Sequence, residues 1–407
     1  MATGKEQLEP LLPVPGVRLA AVAAGVRYQG RRDVVILELA EGSLTTGVYT
    51  RNAFCAAPVQ IARRHEQSCN GQVRYLLVNT GNANAGTGQQ GMSDAQKCCE
   101  ALAELTGVSV SQVLPFSTGV IGERLPTERI IAALPDSLGK VAADSWHDAA
   151  VGIMTTDTRP KGISRTLELD GKTVTITGIS KGAGMIKPNM ATMLAFVATD
   201  AKLDLPLLKE LLFSAVEQSF NRITVDGDTS TNDCCMLTAT GQSGVEISRQ
   251  TPELLARFAD LLTEVVRELA ILIIRDAEGA RKFVTVDVRG GSSVDECLKV
   301  AYTIAESPLV KTAFSASDPN WGRILAAIGR AGIDGLDVSL IDVYLGQVKL
   351  VEGGGLADSY TEAQGQAVMA EEDILLRVEL GRGETREQVW TADLSEEYVR
   401  INASYRS

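Results

Sequence analysis

The sequence predicts an α/β (α+β) chain of layered sheets and helices, and two observations carry that prediction. β-Branched or apolar runs of strand length recur between residues 34 and 378. Between them lie segments of helical spacing with start and stop signals, so strands and helices interleave along the whole length. At 407 residues the chain is long enough for two packed units.

Taken in order, the strand-like runs are Val34-Val35-Ile36-Leu37, Tyr75-Leu76-Leu77-Val78, Val174-Thr175-Ile176, residues 192–197, Phe283-Val284-Thr285-Val286 and Ile374-Leu375-Leu376-Arg377-Val378. A first helix is expected over 93–105, with Ser93 as cap, Gln96 three residues on and Gly107 at the stop. A second follows Asp204 over 206–220. The longest starts at Thr251-Pro252-Glu253, where Thr caps and Pro takes the first helical position; Leu255, Phe258, Leu262, Val265 and Leu269 give its apolar stripe. No internal repeat or low-complexity tract appears, and the first fifteen residues, with three prolines, read as poorly ordered.

Composition narrows the class. Hydrophobic residues at 45% and charged residues at 22% place the chain among compact globular proteins. A net charge of −12, with no Lys/Arg run, argues against nucleic acid as a partner. The most apolar stretch, 269–274, is far too short to span a membrane, and no basic head precedes an apolar run near residue 1, so a cytoplasmic protein is expected. The seven cysteines include two adjacent pairs and no CxxC, which suits reduced core thiols better than disulfides or zinc. His65 and His147 both have charged or polar neighbours and read as surface residues, so Ser-His, Cys-His and His-metal chemistry are not expected.

The most informative segment is Ser180-Lys181-Gly182-Ala183-Gly184-Met185-Ile186-Lys187-Pro188-Asn189-Met190-Ala191-Thr192-Met193-Leu194. On pattern alone it is a glycine loop entering a strand; it lacks the third glycine of a dinucleotide loop and has no GKS/T. The sharper reading makes Ala191-Thr192 a self-cleaving bond. A Thr hydroxyl attacking the preceding carbonyl forms an ester, hydrolysis leaves Thr192 as a new N-terminus, and its α-amine then serves as base for its own hydroxyl. Such a nucleophile needs no histidine.

The segment KGAGMIKPNMATML closely resembles the processing-site signature of the bifunctional ornithine acetyltransferase/N-acetylglutamate synthase family of arginine biosynthesis. The resemblance runs from about residue 15 to the end, through NTGNANAG at 79–86, PFSTGVIG at 115–122, TTDT at 155–158, TVDGDTSTND at 224–233, SDPNWGR at 317–323 and the ending INASYRS at 401–407. It implies a layered α-β-β-α sandwich of the self-processing N-terminal-nucleophile-like type with a smaller α/β second domain. The implied division is 1–283 plus 389–407 against 284–388, with mature chains 1–191 (alpha) and 192–407 (beta), associating as an α2β2 heterotetramer.

The resemblance also assigns roles. Thr192 is the nucleophile, Thr118 and Gly119 form the oxyanion hole, and Lys181 lies in the substrate pocket, where a cation can hold a carboxylate. Thr155, Glu278, Asn402 and Ser407 join Lys181 and Thr192 as substrate ligands. The residues alone leave Thr155, Thr156 and Thr158 as alternatives, and the family's spacing favours Thr155. The family usually reads D-G-E-G-A-T-K around the Glu, so Ala277 and Arg281 depart from it while Glu278 remains; Ser407 stands where relatives often have Thr. The implied reaction is ping-pong acetyl transfer from N2-acetylornithine to glutamate through acetyl-Thr192. No metal or organic cofactor is needed, and acetyl-CoA is a second donor if the synthase activity is present. A self-processing aminopeptidase or amidohydrolase is the rival enzyme, and an uncut binding protein is the non-enzymatic one. Asp226-Gly227-Asp228-Thr229-Ser230 only faintly resembles a calcium loop, lacking its glycine and its Glu, and is expected to be structural.

Overall fold

A computed structural model describes residues 3–4, 8–169, 171–187 and 193–404. It divides into two compact units: Gln7–Asn221 with Thr229–Ile273, and Arg222–Asp228 with Ile274–Tyr405 and Met1–Glu6.

The first unit is built on two sheets. One has the order Val17–Val22, Val34–Leu39, Tyr75–Asn82, Val113–Val120, antiparallel except for its last pair. The other runs Leu44–Tyr49, Cys234–Ala239, Leu194–Thr199, Lys172–Lys181, Lys161–Leu169. Leu194–Thr199 is buried at every position, paired in parallel with Cys234–Ala239 and antiparallel with Lys172–Lys181. Burial of both faces is why LAFVAT reads as a continuous small or apolar run, not an alternation. The inner faces share one core, in which the Phe116 and Phe196 rings meet edge to face at 5.2 Å.

Helices cover the outer faces. Gly88–Thr106 and Thr127–Gly139 pack Leu102, Ile130 and Leu134 with Ile36 and Leu77 of the first sheet. On the second sheet lie Leu205–Glu217, whose cap Asp204 accepts from the Leu207 amide, and Pro252–Arg275, whose Leu269 carbonyl accepts from Ser180 Oγ at 3.4 Å. The layers are therefore α-β-β-α, as the sequence resemblance implies. The 93–105 helix starts earlier than expected, at Gly88: Ser93 lies within it, and Asn84 fastens its first turn by donating to the Gly91 carbonyl at 2.9 Å. Its stop is at left-handed Gly107, as expected.

The second unit holds a seven-stranded sheet in the order Gly355–Leu356, Val348–Glu352, Asp342–Leu345, Asp373–Glu379, Phe283–Gly291, Thr385–Ala392, Ile223–Thr224. Val284, Val286, Leu376 and Val378 share its core with Val300, Ile304 and Phe314 from helices Val294–Ala305 and Pro308–Ser315. The expected boundaries at 283 and 389 do not mark where the units divide. Thr385–Ala392 pairs along Phe283–Gly291, so the segment after 389 stays with this unit, and Ile223–Thr224 joins it by pairing with Trp390 and Thr391.

One histidine corrects the sequence reading. His147 is exposed, but His65 is buried, with Nδ1 2.8 Å from the Val113 carbonyl. Helical periodicity on Ala57–Ser68 turns His65 inward with Ile61 and Ala62, while Arg63 and Arg64 beside it turn outward. All seven cysteines are free and five are buried; burial pushes the Cys98 thiol up to about 12.

Candidate active site

Thr118 and Gly119 close the Val113–Val120 strand, in register with Thr80 and Gly81 of the parallel neighbour, where a bulge at Asn82 ends the pairing. Gly119 has φ +135°, and a Cβ there would run into the Gly81 and Asn82 backbone, so only glycine fits. Thr118 is 4% exposed, and among the described residues its hydroxyl has no hydrogen-bond partner. The surrounding polar groups are committed. Ser117 Oγ donates to Asn79 Oδ1 at 2.6 Å, Asn79 donates to the Asn82 carbonyl at 2.9 Å, and Asn82 donates to the Glu123 and Arg124 carbonyls.

A second group forms where Lys172–Lys181 ends. Lys181, 3% exposed, donates from Nζ to Thr155 Oγ1 at 3.2 Å, so the structure brings two of the expected site residues together. Asp157 organises both. Its Oδ1 accepts from Lys161 Nζ at 2.6 Å and from the Gly182 amide at 2.7 Å, and its Oδ2 accepts from the Thr155 amide at 2.9 Å. Burial alone would raise its pKa, but the Lys161 and Lys181 ammoniums and these hydrogen bonds hold it well below the usual carboxylate range. A fixed anion therefore sits beneath a buried cation.

The two groups are linked by the adjacent residues Asn232 and Asp233. Asn232 Nδ2 donates to the Ala83 carbonyl at 2.6 Å and to the Ser117 carbonyl at 2.9 Å, which fixes the strand end carrying Thr118. Asp233 Oδ1 accepts from the Met193 amide at 3.0 Å, and the Met193 carbonyl accepts from the Cys234 amide at 3.1 Å. Lys181, Leu194 and Cys234 then lie side by side across the second sheet. Ala191, Thr192 and Ser407 lie outside the described residues.

In the second unit, Asn402 of helix Glu396–Ser404 donates to Glu278 Oε2 at 2.8 Å, so these two expected ligands also meet. Gly279, at φ +71°, makes that approach feasible, since a Cβ would collide with the Tyr398 amide and Ser395 Oγ; Ser395 Oγ donates to the Gly279 carbonyl at 2.7 Å. Tyr398 hydroxyl donates to Asp226 Oδ2 at 3.0 Å, while Asp226 Oδ1 accepts from the Asp228 amide, so the faintly calcium-like loop is an Asx turn.

Comparison with known proteins identifies the family. The sequence profile of the ArgJ family matches residues 18–407. The chain belongs to the ArgJ family. Among ArgJ relatives, the arginine biosynthesis bifunctional protein ArgJ of Pseudomonas fluorescens is 57% identical over 408 residues, all of both chains. A solved ArgJ from Bacillus halodurans is 38% identical with a TM-score of 0.49, covering 52% of this chain and 98% of that one. An ornithine acetyltransferase from Mycobacterium tuberculosis, solved in complex with ornithine, is 30% identical with a TM-score of 0.38, covering 43% and 92% respectively. ArgJ membership makes this chain an enzyme of arginine biosynthesis.

Within the ArgJ frame, sequence reasoning missed Asp157, Asn232 and Asp233. The Thr155-Thr156-Asp157-Thr158 run draws the eye to its hydroxyls, yet the carboxylate makes three of its contacts. A signal was available: an Asp followed four residues later by Lys161 at the mouth of a strand is an ion pair in waiting.

Proposed function

We propose that this chain cuts itself between Ala191 and Thr192 and then transfers the acetyl group of N2-acetylornithine to glutamate through an acetyl-Thr192 ester, with acetyl-CoA as a second donor. The observation that carries the reading is the Asn232-Asp233 link. It ties the strand end bearing Thr118 and Gly119 to Met193, the residue that follows Thr192 and precedes the strand Leu194–Thr199. The bifunctional name of a relative identical at 57% over its full length supports both activities.

In this reading the Thr192 α-amine takes the hydroxyl proton, Thr118 and the Gly119 amide bear the oxyanion, and ornithine leaves a neutral ester. Lys181, held by Thr155, receives the α-carboxylate common to both amino acids. Glu278, Asn402 and Ser407 complete the ligands for the amino and tail groups. Water must be kept out, because hydrolysis of the ester loses the acetyl group. No metal or organic cofactor enters. The two pieces stay together as an α2β2 heterotetramer, and the reaction belongs in the cytoplasm.

The test is Thr192→Ala with N2-acetylornithine as donor. It should run as one uncut chain and show no transfer to glutamate, whereas wild type gives two bands and N-acetylglutamate. A variant that still transfers acetyl rules out Thr192 as nucleophile. Acetyl-CoA without glutamate should add one acetyl group to the larger piece by mass spectrometry; labelling by acetylornithine alone would restrict the enzyme to the transferase half.

A further inference from the structure

Thr155 lies between helix Trp146–Gly152 and strand Lys161–Leu169, where neither a helical ladder nor a sheet partner fixes the chain. Yet its hydroxyl accepts from the buried Lys181 ammonium at 3.2 Å, and a residue that places a cation must itself be held. Its amide donates to Asp157 Oδ2 at 2.9 Å. That bond fixes only the peptide plane joining Met154 to Thr155, and the plane joining Thr155 to Thr156 needs a second partner.

The second partner comes from far back in the sequence. Arg31 Nη2 donates to the Thr155 carbonyl at 3.1 Å and to the Met154 carbonyl at 2.6 Å. One guanidinium nitrogen therefore grips both peptide planes that meet at the Thr155 Cα, and between them those planes define its φ and ψ. With the backbone set, the Thr155 hydroxyl has only its side-chain rotamer left to choose. The grip is firm, because a guanidinium stays charged at every working pH and a charged donor holds a carbonyl more strongly than a neutral one.

Arg31 is itself well placed. It belongs to the connection between Val17–Val22 and Val34–Leu39, which Asp33 closes: its Oδ1 accepts from the Ala24 amide at 2.7 Å and its Oδ2 from the Val26 amide at 2.6 Å. The Thr80 amide donates to the Asp33 carbonyl at 2.9 Å, and Thr80 is in register with Thr118. The connection is thus fastened to the sheet that carries the proposed oxyanion donors. Its other two arginines pair with partly exposed carboxylates, Arg27 with Glu123 and Arg32 with Asp148. Arg31 reaches main-chain carbonyls instead.

We propose that Arg31 is a positioning residue for substrate binding: by fixing both peptide planes at Thr155 it sets where the Thr155 hydroxyl meets the Lys181 ammonium, and so where the α-carboxylate lands. A lysine carries its charge on a flexible four-carbon stem, so that charge is only as well placed as the groups around its tip. Asp157 supplies the counter-charge and holds one of the two planes; Arg31 holds the other. Because N2-acetylornithine and glutamate share the α-carboxylate, the loss of Arg31 reaches donor and acceptor alike.

This inference rests on the reading that Lys181 receives the α-carboxylate, and the experiment separates the two. Wild type, Arg31→Met, Thr155→Val, the double variant and Lys181→Met are purified, their melting temperatures recorded, and kcat and KM measured for N2-acetylornithine and for glutamate. Arg31→Met should raise both KM values by about tenfold with kcat within about threefold, since the contact it weakens is common to the ground and transition states. In the Thr155→Val background, where no hydroxyl is left to place, Arg31→Met should add no more than about a further twofold. Should Arg31→Met not fold, Arg31→Lys takes its place in the cycle; it keeps the charge without the reach of the guanidinium, and a rise of about threefold is expected. Equal rises with and without the Thr155 hydroxyl overturn the proposal. So does a rise for one substrate only, or a lowered melting temperature with both KM values unchanged. If Thr155→Val and Lys181→Met leave both KM values at the wild-type level, the reading of Lys181 as the carboxylate partner fails and takes this role with it. Raised KM values in those two variants beside an unaffected Arg31→Met refute the role of Arg31 alone.

Discussion

Lys181 and Glu278 are both expected substrate ligands, and they are held in opposite ways. Lys181 is buried, donates to Thr155 Oγ1 and feels the charge of Asp157, a carboxylate that Lys161 and the Gly182 amide hold in place. Glu278 meets Asn402 through one solvent-exposed hydrogen bond of 2.8 Å. The first arrangement is fixed before any ligand arrives; the second can be remade at little cost. That division suits a reaction whose two amino acids share an α-carboxylate and differ in their tails.

Substitutions can break this contrast. Asp157→Asn should have the largest effect on stability, because it leaves Lys161 buried without its counter-charge: a loss of about 3–5 kcal/mol, read by denaturant unfolding. The pH dependence follows from the lowered folded pKa of Asp157. Its contribution is fully present above the ordinary Asp range, near pH 4, and declines as the pH falls below that toward the folded value, so wild type should lose stability to acid more steeply than Asp157→Asn. Next comes Thr118→Ala, expected to lower kcat by about 10²–10³ with little change in KM, because an oxyanion donor acts only in the transition state. A KM effect at normal kcat would make Thr118 a ground-state binder. Asn402→Ala should be the mildest, removing two exposed hydrogen bonds, to Glu278 and to the Tyr398 carbonyl, each worth about 0.5–1.5 kcal/mol at most, seen as a several-fold rise in KM and little change in melting temperature. If Asn402→Ala proved as destabilising as Asp157→Asn, the contrast between fixed and adjustable ligands would fail.

Much of this was legible in the sequence where a local rule decides. Thr251-Pro252 announces the helix that begins at Pro252, and Asp204 caps the one that begins at Leu205. Gly119 is readable because only glycine tolerates its backbone. What stayed hidden depends on partners distant in sequence. Asp157 matters through Gly182, 25 residues on, and Asn232 through Ala83 and Ser117, more than a hundred residues back. His65 was misread because its immediate neighbours are charged, although the helical repeat that buries it is present in the same stretch. The second unit's boundary was misplaced because pairing between Thr385–Ala392 and Phe283–Gly291 leaves no mark on local composition.

The second sheet of the first unit has a further consequence. Read across it, Leu44–Tyr49 comes from before the proposed cut, Cys234–Ala239 and Leu194–Thr199 from after it, and Lys172–Lys181 and Lys161–Leu169 from before it again. The strand that starts at Leu194 thus has a neighbour from the other piece on one side, and its partner Cys234–Ala239 has one on its far side. At roughly 5–20 residues per second of synthesis, Leu44–Tyr49 waits for nearly 200 further residues before its neighbour Cys234–Ala239 emerges. Asn232 and Asp233, which fasten the end of Val113–Val120 and Met193, lie on that same late-arriving stretch. Under the proposed cleavage, a severed chain would therefore record that the protein had finished folding, and the ratio of whole to severed chains in a growing cell would read out its folding yield.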